Sequence, residues 1–507
     1  MEDHIFHQEE SPSSPHVVIF PLPIQGPINC MLKLAHLILY SSQSTISVTF
    51  LTTDFIRRRL DLNSTFRSVT TTNYGPHIRF ETVPDLVGPD EDPRGSRHVA
   101  ELTRFMEDQA KAEGSRLREV LAYGSTEAEL KKPVTCIIAD GLYGCMADVA
   151  QELRLPLVYM ETISPCGLWT YICLPNMLQA GELPFQGKED LDAAITSVPG
   201  METYLRRCDL PSFCRAYDPN NPVIKLILNE AKNFPRAQGH IFNTFDKLEG
   251  DYFPHIQASC PNLYNIGPLH LNLKCRMIQH KATNSYSNSL WLEDRSCLEW
   301  LDAQPPKSVL FVSIGSIAVM TWDQLMEFWY GLVNSKTRFL WVRRPCLIIG
   351  LSDEEVESRA LGVAEEVLVG TKERGCIVSW APQEEVLAHE AIGGFLTHSG
   401  WNSTLESIVE GVPMICWPCL ADQQANSRLV SKVWKNGLDM KDSCNRVVVE
   451  EMIKELMETK RDELLVRANE MAKLAAEAVA KGGSSYNDLN RLLNDIKLMK
   501  FQTPCSE

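Results

Sequence analysis

The sequence predicts an α/β protein with two doubly wound domains that face each other across a cleft. The chain has 507 residues, which exceeds the size of one ordinary domain. Short β-rich runs alternate with helical patterns in both halves, as they do in domains with parallel sheets. A largely polar stretch without a clear period, residues 271–290, separates the halves as a linker. Because ligands of such sheets bind at the carboxyl ends of the strands, we expect the functional site in the cleft.

The first domain is expected to span residues 16–270. Its first strand, Val17–Leu22, leads through Gln25-Gly26 into a helical pattern over Ile28–Leu39. Further strands are predicted at Ile46–Leu51, Val134–Ala139 and Leu157–Met160. The preceding residues, 1–15, are acidic and polar and lack the apolar segment of a secretory signal, so they are predicted to be a disordered tail.

The second domain is expected to span residues 291–483 and to repeat the same βα alternation. A helical pattern starts at Thr321, and strands are predicted at Val309–Ile314, Phe339–Val342, Ile377–Trp380, Gly394–Thr397 and Val412–Trp417. Lys481-Gly482-Gly483 then breaks a long helix, because glycine ends helices. The remaining residues, 484–507, are predicted to form a C-terminal helix that returns to the first domain.

Composition excludes several classes of function. The net charge of −16 argues against binding to nucleic acid or to anionic membranes. No apolar run reaches the roughly 20 residues that a membrane-spanning helix needs. The 16 cysteines are scattered rather than arranged in a small disulfide frame, which favours a reduced, cytoplasmic protein. A monomer is the default expectation.

The stretch Trp380–Gln423 combines the groups that a nucleotide sugar requires. A uracil ring needs an aromatic face, a ribose diol needs a carboxylate, and a diphosphate needs the amides of a helix N-terminus. Trp380 ends a predicted strand. His398-Ser399-Gly400 ends the next one, and Trp401-Asn402-Ser403 then opens a helix. Glu406 lies one turn further along that helix, and Asp422-Gln423 follows the next strand.

This stretch resembles, nearly position for position, the signature box of the plant family 1 UDP-glycosyltransferases, and the resemblance extends from about His16 to about Lys497. It implies the GT-B fold, with UDP-glucose as co-substrate and with neither a cofactor nor a metal. It also implies a small lipophilic acceptor. The final Gln423 suggests glucose rather than galactose as the sugar. The roles implied are uracil binding by Trp380 and Ala381, ribose binding by Gln383 and Glu406, diphosphate binding by Ser316, His398, Asn402 and Ser403, and sugar binding by Thr162, Trp401, Asp422 and Gln423.

Two further segments resemble one branch of this family. Val198–Arg215 and Lys481–Leu492 are similar to the branch that contains the 7-deoxyloganetic acid glucosyltransferases of iridoid pathways. The branch implies an iridoid or monoterpenoid hemiacetal or acid as the acceptor. The cationic pair Arg206-Arg207 lies in the first of these segments and could bind an acidic acceptor. We interpret it instead as a solvated pair or as one that anchors its loop.

One acidic triplet permits a metal interpretation, which we reject. Asp90-Glu91-Asp92 has the D-x-D pattern with which another glycosyltransferase fold holds Mn²⁺. It lies in a polar loop flanked by prolines, far from the signature box, so a charged surface loop is the better interpretation.

In the family that this sequence resembles, the first helix opens with Gln-Gly-His. The histidine of that motif takes a proton from the acceptor, and an aspartate orients the histidine. Here Gln25-Gly26 is followed by Pro27, and the corresponding acid is Asp140 at the end of a predicted strand. Proline is favoured at the first helical position but cannot accept a proton. His16, His36 and Cys30 are interpreted as structural residues.

Pro27 leaves three outcomes open. The acceptor is acidic enough to need little help, or Asp140 acts directly or through a water, or sugar transfer has been lost. The leading hypothesis is an inverting UDP-glucose-dependent glucosyltransferase for a small plant specialised metabolite. The rival is a repurposed glycosyltransferase fold that binds a small metabolite and performs non-glycosyl chemistry or none.

Overall fold

The computed structural model describes residues 14–62, 77–85, 99–185, 188–215, 218, 220–260, 262–279, 289–360, 362–441 and 443–499. Nearly all of the predicted tail, the triplet Asp90-Glu91-Asp92 and the last residues of the chain lie outside these ranges. The described residues form two parallel sheets of seven and six strands. The predicted fold class, α/β with two doubly wound domains, is therefore observed.

The first sheet has the strand order β3-β2-β1-β4-β5-β6-β7, and every pair in it is parallel. The chain order reverses between β1 and β4, which places a crevice at their carboxyl ends. The strands are β1 His16–Phe20, β2 Ser47–Thr53, β3 Ile78–Val83, β4 Cys136–Asp140, β5 Leu157–Glu161, β6 Gly239–Phe242 and β7 Leu263–Asn265.

The second sheet has the order β10-β9-β8-β11-β12-β13 and is also parallel throughout. Its switch point lies between β8 and β11. The strands are β8 Val309–Ser313, β9 Arg338–Val342, β10 Gly375–Val378, β11 Ile392–Thr397, β12 Met414–Cys416 and β13 Gly437–Asp439.

Helices cover both faces of each sheet. In the first domain they are α1 Gln25–Ser41, α2 Asp54–Leu62, α3 Val99–Lys111, α4 Arg116–Tyr123, α5 Met146–Leu153, α6 Pro165–Ile172, α7 Leu174–Gln179, α8 Ser212–Arg215, α9 Pro222–Asn233, α10 Phe253–Ser259 and α11 Leu269–Gln279. The remaining helices are α12 Ser296–Asp302, α13 Trp322–Asn334, α14 Asp353–Ala360, α15 Glu365–Arg374, α16 Gln383–Ala388, α17 Trp401–Val409, α18 Gln423–Arg428, α19 Arg446–Lys454, α20 Arg461–Val479 and α21 Ser484–Leu498.

Helix α1 is buried because its sequence is apolar on almost every face. Residues Ile28, Met31 and Leu34 are fully buried in a cluster that also contains the β1 residues Val17 and Ile19. The sequence predicted Pro27 as the first residue of this helix. The helix begins at Gln25 instead, so Pro27 is its third residue. The difference has no cost, because the N–H groups of the whole first turn lack helical partners.

The predicted linker, 271–290, begins as a helix rather than as an irregular segment. Helix α11 packs against α1, and its residues Leu273 and Met277 are buried in the same apolar cluster. Four residues apart, Leu273 and Met277 lie on one face of the helix, and this face packs in the cluster although the residues between them are largely polar. The C-terminal helix α21 packs on β7, where Asp495 accepts a hydrogen bond from Tyr264 Oη at 2.7 Å.

The two domains share an apolar cluster as well as polar contacts. Trp169 and Phe245 of the first domain belong to the same cluster as Phe311 and Leu405 of the second. Trp434 Nε1 donates a hydrogen bond to the Leu248 carbonyl at 3.1 Å across this contact. Among the described helices, none combines the length and apolar character needed to cross a membrane.

Candidate functional site

A cavity of about 980 Å³ lies between the carboxyl ends of the two sheets. Both domains contribute to its walls, as the predicted architecture requires. Twelve of the positions singled out from the sequence line it: Pro27, Thr162, Ser316, Trp380, Ala381, Gln383, His398, Trp401, Asn402, Ser403, Glu406 and Gln423. Two further residues predicted for the site, Asp140 and Asp422, do not line it, and both are almost completely buried.

The N-terminus of α17 forms the part of the wall suited to a diphosphate. Gly400 precedes the helix, and the first helical hydrogen bond joins Thr404 N to Gly400 O at 2.9 Å. The amides of Trp401, Asn402 and Ser403 therefore lie ahead of the helical ladder. Such amides, together with the helix dipole, favour an anion.

His398 lies beside these amides and is neutral at physiological pH. Burial, with a smaller contribution from the Arg344 cation, lowers its pKa to about 4. The ring fits because glycines flank it: a Cβ on Gly315 or Gly400 would lie 2.4 or 2.5 Å from His398 Nε2. Gly315 also has a φ of +73°, which only glycine adopts readily. A neutral imidazole can donate one hydrogen bond to a phosphate oxygen.

Ser316 lies in the loop after β8, and Arg344 holds that loop in place. The guanidinium donates to the Gly315 carbonyl at 3.1 Å and to the carbonyl of Ala318. Arg344 itself is only 6% exposed. The loop that carries Ser316 is thus fixed before any ligand binds.

Trp380 is half-buried at the wall, where it packs against the edge of the apolar cluster rather than inside it. Its ring stacks on Trp291, with 5.5 Å between the centroids and 23° between the planes. Trp291 also lines the cavity. The stacking fixes the orientation of Trp380, and the neighbouring Ala381 and Gln383 follow it along the wall.

Gln383 and Glu406 form one hydrogen-bonded group. Gln383 Nε2 donates to Glu406 Oε2 at 2.6 Å and to Ser403 Oγ at 2.9 Å. Burial raises the pKa of Glu406 to about 7 against the opposing effect of Lys33. A carboxylate fixed in this way can accept hydrogen bonds from a diol.

The two residues at the end of the signature stretch face different surroundings. Gln423 lines the cavity, and its Oε1 accepts the amides of Cys419 and Leu420, each at 2.9 Å. Asp422 instead accepts the Ser164 amide at 2.8 Å and Asn426 Nδ2 at 2.9 Å. Its carboxylate thus joins the two domains in this structure.

Trp401 and Asn402 also make contacts between the domains. The indole Nε1 of Trp401 donates to the Asn243 carbonyl at 2.8 Å. Asn402 Nδ2 donates to the Gly26 carbonyl at 3.1 Å, and its Oδ1 accepts from Asn243 Nδ2 at 3.3 Å. The start of α1, including Pro27, is therefore attached directly to the start of α17.

Asp140 lies at the end of β4, behind the cavity wall. Its Oδ2 accepts a hydrogen bond from Thr162 Oγ1 at 3.0 Å, and its Oδ1 accepts the Leu142 amide at 3.1 Å. Burial raises its pKa to about 7, although these hydrogen bonds oppose the shift. Because Thr162 lines the cavity and Asp140 does not, the threonine hydroxyl connects the acid to the cavity.

The other candidates do not reach the site. His36 is fully buried in α1, and His16 contacts Thr49 Oγ1 at 3.0 Å near the opposite end of the sheet. Arg206 and Arg207 form ion pairs with the carboxylates of Asp192, Asp209 and Asp190, which anchors their loop. Within the described ranges, no group of three or more histidine, cysteine, aspartate or glutamate side chains could hold a metal ion.

Sequence reasoning assigned no role to several residues of the wall, among them Trp291 and Lys33. Trp291 stands at the end of a polar stretch, so no period identified it. Lys33 is a single lysine within the apolar pattern of α1, and it forms an ion pair with Glu384 of the other domain at 2.5 Å. An isolated charge on a helix that is otherwise apolar was the available signal.

Comparison with known proteins gives a consistent result. The profile of the family described as UDP-glucoronosyl and UDP-glucosyl transferase matches residues 291–477. The chain is 48% identical to 7-deoxyloganetic acid glucosyltransferase from Catharanthus roseus, over 96% of this chain and 98% of the relative. The fold is similar to Os79 from O. sativa in complex with UDP, with a TM-score of 0.75 and 25% identity over 95% of this chain and all of that one. It is equally similar to Medicago truncatula UGT71G1 complexed with UDP-glucose, with a TM-score of 0.75 and 25% identity over 96% of this chain and 98% of that one.

Proposed function

Because this chain belongs to the UDP-glucosyl transferase family and has its GT-B fold, we propose that it transfers glucose from UDP-glucose to a small terpenoid acceptor. The acceptor class is an iridoid or monoterpenoid hemiacetal or acid. The similarity of this chain to a 7-deoxyloganetic acid glucosyltransferase supports this acceptor class. The predicted family, its branch and the transferase activity are confirmed by the comparisons, whereas donor, acceptor and mechanism are the proposal.

The donor occupies the second-domain wall of the cavity in this proposal. Uracil stacks on Trp380, and the ribose diol binds the group formed by Gln383 and Glu406. The diphosphate binds the amides that open α17, together with Ser316 and His398. No metal is needed, because the helix N-terminus and the neutral histidine supply hydrogen-bond donors to the leaving phosphate.

The sugar lies between Gln423 and Thr162. Asp422 is proposed as a sugar ligand only if its bond to the Ser164 amide gives way when the donor binds, since its carboxylate is committed to that amide in this structure. Trp401 is proposed to act through its position at the helix start, because its indole contacts the first domain.

Asp140 accepts the proton of the acceptor hydroxyl, with Thr162 as the relay. The hydroxyl of the acceptor donates to Thr162 Oγ1, which in turn donates to Asp140 Oδ2 as it does in this structure. As the acceptor oxygen attacks the anomeric carbon and the bond to UDP breaks, its proton passes to Thr162 and the threonine proton passes to Asp140. A base with a pKa close to the working pH is the most effective, and burial gives Asp140 a pKa of about 7.

The observation that carries this proposal is the hydrogen bond between the buried Asp140 and Thr162, which lines the same cavity as Pro27. Without an imidazole at position 27, the base reaches the acceptor only through the threonine hydroxyl, which is a less direct path for the proton than a histidine in contact with the acceptor. A hemiacetal hydroxyl is more acidic than an alkyl alcohol, since the ring oxygen withdraws electron density. The site therefore suits hemiacetal and carboxyl acceptors better than simple alcohols.

The experiment is a transfer assay with UDP-glucose and matched acceptors that carry a hemiacetal, a carboxyl or an alcohol on the same terpenoid skeleton. We expect glucoside formation, measured by mass spectrometry, to be fastest with the hemiacetal or the acid. Binding of UDP without any glucoside would favour the rival, a repurposed fold. Faster transfer to the alcohol would contradict the proposed role of Pro27.

A further inference from the structure

Lys33 connects the two domains at the edge of the donor wall. It lies on α1, and its side chain is only 9% exposed. Its Nζ lies 2.5 Å from Glu384 Oε1 and 3.9 Å from Glu406 Oε1, both of which belong to the second domain. All three side chains line the cavity. A buried lysine is costly unless carboxylates compensate its charge, so this contact is a specific one.

The geometry divides the two oxygens of Glu406 between two partners. Oε2 accepts the hydrogen bond from Gln383, whereas Oε1 faces the Lys33 ammonium. The carboxylate is 6% exposed, so its orientation is fixed by these neighbours rather than by water. The distance of 3.9 Å is too long for a direct hydrogen bond, which leaves Oε1 able to accept one from a ligand.

The charge of Glu406 depends on the groups around it. Burial raises its pKa to about 7, Lys33 lowers it, and Glu384 raises it. Helix α11 contributes two further titratable groups near these carboxylates, His270 and Lys274. Burial lowers the pKa of His270 to about 4, so its ring is neutral at physiological pH. Glu410 directly follows α17, and burial raises its pKa. Lys33 is therefore the cation that favours the ionised form of Glu406.

We propose that Lys33 is a positioning residue that keeps Glu406 ionised and oriented to recognise the ribose diol of the donor. This inference rests on the proposed function, since it assigns the ribose to Glu406. Lys33 lies on α1, the helix whose first turn carries Pro27.

The test compares binding of UDP with binding of 2′-deoxy-UDP by calorimetry at pH 7. We expect the wild type to prefer UDP, because only the ribonucleotide presents both hydroxyls to the carboxylate. In Lys33→Met, which keeps the length and removes the charge, UDP binding at pH 7 should weaken by about fivefold, because a rise of one pKa unit from about 7 lowers the ionised fraction of Glu406 from about one half to about one eleventh. The preference for UDP over the deoxynucleotide should fall toward one. Lys33→Arg, which keeps the charge, should retain the preference.

A second variant gives an effect of opposite sign and does not remove the buried cation. The carboxylate of Glu384 competes for Lys33, and its charge raises the pKa of Glu406. Glu384→Gln removes this carboxylate and should therefore lower the pKa of Glu406. UDP binding by this variant should persist to lower pH than in the wild type, whereas in Lys33→Met it should fail at higher pH. This arm decides the matter even if Lys33→Met does not fold.

Equal weakening of both nucleotides in Lys33→Met would overturn the inference, because it would show a general structural role. An unchanged pH dependence in Glu384→Gln would overturn it as well. Equal binding of UDP and 2′-deoxy-UDP by the wild type would show that Glu406 does not recognise the diol. This result would overturn the inference without contradicting the proposal that the protein binds UDP. A wild type that ignores both nucleotides would instead contradict the proposed function itself.

Discussion

The donor and acceptor walls of the cavity are built in different ways. Most of the donor wall comes from one stretch of the second domain, Trp380–Gln423, to which Ser316 and Trp291 are added, and contacts such as Trp291 on Trp380 and Gln383 on Glu406 fix its side chains. The acceptor wall contains Pro27 and Thr162, with Asp140 buried behind it, and these residues come from separate parts of the first domain. The comparison indicates that nucleotide binding depends on local sequence, whereas the proton transfer depends on the assembled fold.

The largest effect should arise on the acceptor wall. Asp140→Asn preserves the shape of the side chain but removes the base, so transfer should fall by about 100- to 10,000-fold. The affinity for UDP should not change, because Asp140 does not line the cavity. Steady-state kinetics and UDP calorimetry on the same preparation separate the two quantities.

A control for this variant uses the neighbouring residue. Thr162→Val removes the hydroxyl with little change in shape and should also slow transfer, whereas Thr162→Ser should retain most of it. Loss in both Thr162 variants, or in neither, would contradict a hydroxyl relay.

The donor wall should respond more moderately to a single change. Trp380→Ala removes the ring on which uracil is proposed to stack, and base stacking contributes about 1–3 kcal/mol. UDP affinity measured by calorimetry should therefore fall by about 5- to 150-fold. Trp380→Phe keeps an aromatic face and should lose less. If Trp380→Ala bound UDP as tightly as the wild type, the uracil would have to bind elsewhere.

The smallest expected effect is an increase in the rate of sugar transfer. Pro27→His restores a titratable ring at the start of α1, close to Asn402 and the diphosphate wall. Transfer to alcohol acceptors should rise by about tenfold or more, since a positioned base is gained. Pro27→Ala serves as the control, and an equal rise in this variant would mean that relief of the proline, rather than the imidazole, is responsible.

The fold could be predicted well where strands are apolar and flanked by clear turns. Strands β1, β2, β4 and β5 and most of the second sheet were expected at nearly their observed positions. Strands β3, β6 and β13 were not, because charged residues, histidine or glycine interrupt their apolar pattern. Their pairing with neighbouring strands, which the sequence does not display, stabilises them.

The candidate site was predictable in its composition but not in its contacts. The sequence identified Asp140 and Thr162 separately, yet only the fold shows that one hydrogen-bonds the other and that the acid lies behind the wall. Likewise, nothing in the signature stretch indicates that Asp422 contacts Ser164 of the other domain. Contacts between distant segments depend on how the domains pack, and a single sequence does not record that packing.

The most direct measurement is kcat/KM as a function of pH with a hemiacetal acceptor, for the wild type and Asp140→Asn. The pKa of Asp140 is raised to about 7 by burial, and the base must be unprotonated to act. Wild-type kcat/KM should therefore fall by about tenfold per unit below pH 7 and level off above it, while Asp140→Asn should be slow with no such limb. Superimposable profiles for the two proteins would contradict the account.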